Sequence, residues 1–286
     1  MDELYTRVSS ATKQVLYQYM KDGYVSLLNY NFDYFFKHCI QKNQIQVISH
    51  HFSNHKIEGL TVVDKLGISF SYEIDNPKVK QNFTLCHELG HFILNHDGNY
   101  FAESIDNQEN SIEREANVFS AVVLMPDIVL LSKIYYSCDT FYQVQNSLEV
   151  SKQALFFRLL DFLREYYPDK DSEIKQAIET YIEGQNASIF RLFHNIKEQI
   201  IEEFHQFQPS LINQVKQRVS KVGFATSIEY PDLLNQDNWK AIKASSINIK
   251  TWLVYNKGKS IAYVWDKEKF SDEEARKKAE LQLLLM

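Results

Sequence analysis

The chain has 286 residues, 44% of them hydrophobic and 24% charged, with 8 glycines and 5 prolines. That composition belongs to a folded globular protein of about two domains and excludes collagen-like, low-complexity and disordered chains. The net charge of −6 is the sum of −7 in residues 1–169 and +1 in residues 170–286, and neither half has the basic excess of a nucleic-acid binder, so no direct contact with nucleic acid is expected. No run of about 18 apolar residues marks a membrane span, so no membrane partner is expected. The polar start MDELYTRVSS lacks the apolar segment of a secretory signal. Cys39, Cys86 and Cys138 are widely spaced and odd in number, which fits reduced thiols in a cytoplasmic protein.

Apolar spacing predicts helices over 3–22 and 26–41, the second unusually aromatic. From 45 to 74, short β-branched and aromatic runs are punctuated by Gly59 and Gly67 and closed by Asp75-Asn76-Pro77, predicting a small twisted sheet of about three strands. Helices follow over 79–95, ending near Asp97-Gly98, and over 110–124, stopping at Met125-Pro126. Others cover 127–136, 139–148 and 152–166. The polar stretch at Pro168 suggests a boundary between a domain of residues 1–169 and a second of 170–286. Beyond it, 172–206 reads as one or two amphipathic helices with a break at Gly184 to Ser188, and another helix starts at Pro209-Ser210. A hairpin is predicted for 249–255 and 260–265 around Asn256 to Lys259. Ser271 and Glu274 form a capping box for a last helix. The fold class is therefore α+β, with a helical bundle packed around a small sheet and a separate C-terminal α+β unit.

The chemistry sits in His87-Glu88-Leu89-Gly90-His91, an HExxH on a predicted helix. Four residues of spacing put both imidazoles on one face, where they can hold a zinc ion. Glu88, about 100° round the helix, can reach a water beside that ion as a general base. A catalytic zinc needs a third protein ligand. A longer three-histidine pattern fails, because its histidine would fall on Asp97 and its glycine on Leu94. His96 would lie about 140° from His91 on a continued helix. The better source is a carboxylate on the following helix. Glu113 shares the side of the buried stripe that contains Ala116, with Glu115 ranked second, and Asn117 could orient a ligand imidazole.

The Phe83-Thr84-Leu85 lead-in, HELGH, Glu113-x-x-Ala116-Asn117 and Leu124-Met125-Pro126 together resemble the ImmA/IrrE family of metallopeptidases. The resemblance extends upstream to the strands of Gly59 to Tyr72 and downstream to Val150-Ser151-x-x-Ala154-Leu155-x-x-Arg158-Leu159, roughly residues 45–165. Cys86 stands where many relatives have alanine. The resemblance implies a gluzincin-like (zincin-like) core, with His87, His91 and Glu113 as zinc ligands, Glu88 as catalytic base, and a helix-turn-helix transcriptional repressor as the protein substrate. It also implies that residues 170–286 have a regulatory or sensor role. A chain that sequesters a repressor or senses a ligand without hydrolysis is the alternative.

Other conspicuous residues have simpler expectations. His96 reads as a helix C-terminal residue favoured by the dipole, and His50, His51 and His55 as loop histidines. Cys86 reads as a small core filler. The aromatics of 26–41 read as packing, as do Trp252 and Trp265 in the tail.

Overall fold

The first 43 residues form two amphipathic helices, α1 (Glu3–Gly23) and α2 (Phe32–Asn43), and bury Leu16, Tyr17, Met20, Phe35 and Phe36. Helix α2 starts later than its aromatic spacing suggests. The Asn31 side chain accepts from the Asp33 N–H at 2.8 Å and fixes the cap there. The aromatics do pack: Tyr30 is buried and its hydroxyl donates to the Val123 carbonyl. The computed structural model describes residues 2–51, 57–96, 100–104, 111–256 and 258–285. The expected Asp97-Gly98 turn and His55 lie outside them.

Three strands are where the sequence places them: β1 (Gln46–His50), β2 (Ile57–Asp64) and β3 (Gly67–Glu73). A fourth, β4 (Tyr100–Ser104), completes a sheet of order β1-β3-β2-β4. β1 runs parallel to β3, and β2 runs antiparallel to both of its neighbours, with Thr61 opposite Phe70 and Phe101. Helix α3 (Lys78–Ile93) follows Pro77, which fits a helix start because its missing N–H costs no intrahelical bond there. It packs against this sheet and against α4 (Ser111–Leu124). Gly90 allows the close approach of the two helices. A methyl group there would lie 3.1–3.2 Å from Phe119, tighter than packed carbons accept.

Pro126 turns the chain into α5 (Asp127–Leu130), which continues as a π-helical stretch over Leu131–Tyr136. Then come α6 (Phe141–Ser147), α7 (Lys152–Tyr166), α8 (Asp171–Ile182) and α9 (Ala187–Gln206). Among the described residues one helical stretch, Ser111–Tyr136, is long and apolar enough to cross a membrane, and its apolar window is 78% buried within the fold.

The first compact unit runs from Met1 to Phe207, past the boundary expected after residue 169. Ile174, Ile178, Tyr181, Ile189, Phe193 and Ile196 of α8 and α9 join one core with Leu89 of α3 and Phe119 of α4. The polar turn at Pro168 therefore connects two helices of one core. The break expected near Gly184 is present, with Gly184 in the left-handed region between α8 and α9.

A charge cluster inside this unit ties distant segments together. Asp127, fully buried, pairs with Lys13 of α1 at 2.6 Å and with Arg158 of α7. Arg158 also donates to the Met125 carbonyl at 3.1 Å and to the Tyr5 hydroxyl at 2.6 Å, and Lys13 reaches Glu203 of α9 at 3.0 Å. Burial alone would raise the Asp127 carboxyl, but the two cations outweigh it and hold it below the ordinary aspartate value.

The second unit, Gln208–Met286, contains α10 (Leu211–Val222), β5 (Phe224–Thr226), α11 (Gln236–Ala244), β6 (Ile249–Asn256), β7 (Lys259–Asp266) and α12 (Asp272–Leu285). The strands form an antiparallel sheet of order β5-β7-β6. Val219, Ile242 and Val264 pack on one face, and Tyr263, Trp265, Ala275 and Leu283 on the other. The Ser271/Glu274 capping box is formed in both directions. Trp265 is core, as expected, whereas Trp252 is exposed on β6.

Replacing Asp127 with alanine leaves the buried Arg158 without its carboxylate and Lys13 with Glu203 alone. The expected cost is about 3–5 kcal/mol, read as a lower urea midpoint at pH 7. Because the folded carboxyl is held low, its contribution is complete above the unfolded value of about 3.9 and fades as pH falls through the folded one. The gap between variant and wild type should therefore narrow only in acid.

Candidate metal centre

The i, i+4 spacing on α3 places His87 and His91 side by side, and both are buried. Their Nε2 atoms are 3.0 Å apart. Glu113, in the first turn of α4, brings its Oε2 to 2.9 Å from His87 Nε2 and its Oε1 to 3.8 Å from His91 Nε2. The sequence-predicted triad thus converges, with one donor atom from each residue within 4.8 Å of the others. Asn117, one turn along α4, sets its Oδ1 at 3.0 Å from His87 Nδ1. Glu88, next to His87 in the chain, meets the sheet. It is fully buried and accepts from the Thr61 hydroxyl of β2.

The tautomers follow from these neighbours. Asn117 Oδ1 accepts, so the His87 proton sits on Nδ1 and leaves a lone pair on Nε2. His91 Nδ1 lies 2.8 Å from His96 Nδ1, and His96 Nε2 lies 3.2 Å from Glu115 Oε2. The carboxylate draws the His96 proton to Nε2, so His96 Nδ1 accepts from His91 Nδ1. Both ligand-candidate imidazoles therefore aim Nε2 lone pairs at each other and at a carboxylate. Three such donor atoms this close could hold a metal ion between them. Tetrahedral donors about 2.0–2.1 Å from zinc lie about 3.3 Å apart, and the observed 2.9, 3.0 and 3.8 Å separations bracket that value. The donor set fits zinc.

Electrostatics agree. Burial raises the Glu113 carboxyl, but hydrogen bonds and charge from His87 and His91 outweigh it and hold it down at about 2. Burial pushes His91 below its ordinary value, against the opposing pull of Glu113. Neither group carries a competing proton at neutral pH.

His96 is where expectation and structure part. Helix α3 does not continue to it. Asn95 takes a left-handed φ of 57°, its N–H bonds the Phe92 carbonyl at 3.2 Å, and the His96 N–H bonds the His91 carbonyl at 3.1 Å. This is a Schellman turn, and it folds His96 back over His91. Asparagine just past the helix end was the readable signal. Glu115, the second-ranked ligand, faces His96 and Arg7 and not the centre. His51 lies outside the centre too, 3.0 Å from Asp75 and 3.8 Å from Glu73 at the surface. Cys86 is buried core, with its thiol pushed up by burial. Thr61 was missed because a strand threonine carries no motif.

Beside the centre lies a cavity of about 800 Å³ that His87, Glu113 and Asn117 border. Val79, Phe83, Val118, Ala121, Leu124, Val150 and Phe157 give it an apolar wall, and the Glu58–Lys80 ion pair and Asp161 add charge.

The HExxH helix thus lies on a small sheet and packs against the helix that carries Glu113. Residues 41–160 match the family model of the IrrE N-terminal-like domain, Peptidase_M78. A comparison with curated proteins returned no match.

Glu113→Ala should lower zinc per chain and weaken zinc uptake in a chelator competition, with the fold intact by circular dichroism. Protons compete for the same lone pairs. With His91 held low and Glu113 at about 2, neither should release zinc until pH falls below the ordinary histidine value of about 6.5.

Proposed function

We propose that this chain is a cytoplasmic zinc metalloendopeptidase that cuts a helix-turn-helix transcriptional repressor and so relieves repression. The observation that carries the chemistry is the convergence of two imidazoles and one carboxylate, with the buried Glu88 adjacent to His87 in the chain. His87, His91 and Glu113 would hold the metal. When bound, zinc supplies a Lewis acid that polarises the scissile carbonyl and lowers the pKa of water at the site. Glu88 takes the proton from the attacking water and returns it to the leaving amine. The Thr61 hydroxyl holds one oxygen of Glu88 and fixes the direction of the other. Asn117 keeps His87 in the tautomer that leaves Nε2 available.

The apolar cavity beside Glu113 supports a substrate bound as a stretch of polypeptide with bulky aliphatic or aromatic side chains. The choice of a repressor rests on the peptidase family of residues 41–160 and its ImmA/IrrE resemblance. The net charge of −6 and the absence of a basic excess support action on the repressor protein, with no direct hold on its DNA. Three free cysteines support a reducing compartment.

The decisive variant is Glu88→Gln. It should keep zinc and lose cleavage of a candidate repressor, with fragments in the wild type that vanish with chelator. Equal cutting by the variant would refute Glu88 as the base, and a stable complex with no wild-type fragments would favour a sequestering protein. Ala121→Trp should fill the cavity, cut turnover of peptides with leucine or phenylalanine by about 10-fold or more, and leave zinc content unchanged.

A further inference from the structure

Of the two candidate ligand histidines, His87 is held by one amide, whereas His91 stands at the head of a longer chain of contacts. His91 Nδ1 meets His96 Nδ1 at 2.8 Å, His96 Nε2 meets Glu115 Oε2 at 3.2 Å, and Glu115 Oε1 meets Arg7 Nη2 at 2.5 Å. The His96 side chain is only 7% exposed and the Glu115 side chain 15%, so the inner part of this chain is shielded from water, while Arg7 opens to solvent.

We infer that His96, Glu115 and Arg7 are positioning residues for the metal, a relay that fixes the orientation and tautomer of His91 and makes the N-terminal helix part of the metal site. The direction of every link is set by chemistry. Glu115 only accepts, so His96 donates from Nε2 and accepts at Nδ1, and His91 must donate from Nδ1. That leaves His91 Nε2 as a lone pair pointing at His87 and Glu113. An imidazole free to rotate or to hold its proton on Nε2 would have to be reoriented before binding a cation, at a cost in affinity. Two structural devices serve this arrangement. The left-handed Asn95 returns His96 to the side of His91, and α1 packs along α4 so that Arg7 reaches Glu115 and Asp2 reaches Arg114 at 2.7 Å. Arg7 lies outside the residues that match the peptidase family, so this chain completes its centre from a segment the family domain does not include.

The inference rests on His91 being a metal ligand, and the test separates the two. Zinc affinity is measured first for the wild-type full chain by competition with a chromophoric chelator. No uptake by the wild type overturns the proposed function and this inference with it. Given wild-type uptake, His96→Ala and Glu115→Ala should each bind zinc about 10- to 100-fold more weakly, and Arg7→Ala should weaken it less. His96→Gln, which can accept from His91 and donate to Glu115, should recover most of the loss. In nitrogen-15 spectra of the zinc-loaded wild type, His91 should carry its proton on Nδ1 and His96 on Nε2. Affinities within about twofold of wild type in both alanine variants, or equal losses in His96→Ala and His96→Gln, overturn the relay. If His96→Ala does not fold, Glu115→Ala decides the question, since Glu115 sits toward the surface end. Metal-free urea midpoints matched to wild type exclude a merely structural effect.

Discussion

The metal centre depends on the distance between two helices. α3 carries both imidazoles and α4 carries the carboxylate, so their separation decides whether three donors can share one ion. Gly90 favours that separation, because a Cβ here would lie 3.1–3.2 Å from the Phe119 side chain, which would have to shift. The cost of glycine inside a helix, about 0.5–1 kcal/mol relative to alanine, is accepted at the one position where a side chain would push the halves of the site apart. The sheet acts from the other side. β2 brings Thr61 against Glu88, so the proposed base is oriented by a layer distinct from the one that orients the proposed ligands.

Holding like-natured donors together is unfavourable until a cation arrives. The surrounding network makes it tolerable by defining where each proton resides. Asn117 fixes the proton of His87, and His96 with Glu115 fixes that of His91. The same logic appears in the buried ions around Asp127, where one carboxylate is matched by Lys13 and Arg158 and further contacts occupy their remaining donors. The interior of this unit thus contains two polar assemblies, one whose donors could hold a metal and one that is internally neutralised.

Much of this was legible before any coordinates. The spacing of His87 and His91, and the position of Glu113 and Asn117 on the side of Ala116, follow from helical period alone, because both segments are regular and buried on one face. The capping box at Ser271 and the hairpin around Asn256 are local chemistry and read correctly. What escaped depends on tertiary context. His96 was placed by extending α3, when one left-handed residue reverses the chain. β4 is five residues long and takes its identity from pairing with β2. α11 is short, with a single buried residue. The division of the chain was read from polarity at Pro168, yet polar turns occur wherever helices meet inside one core, and only the burial of α8 and α9 shows where the unit ends.

The homologous segment and the folding unit of this chain are different objects. Residues 41–160 define the kinship, but Asp127 and Arg158 look to Lys13 and Tyr5 for partners, and the apolar sides of α5 and α7 are covered by α8 and α9. A fragment trimmed to the shared segment would carry the whole HExxH signature and still lack half of the neutralising charges and a large share of its oily lining. Engineering or expression that follows kinship boundaries would therefore yield a sticky, half-finished shell, whereas cuts after Phe207 respect the physics of the molecule.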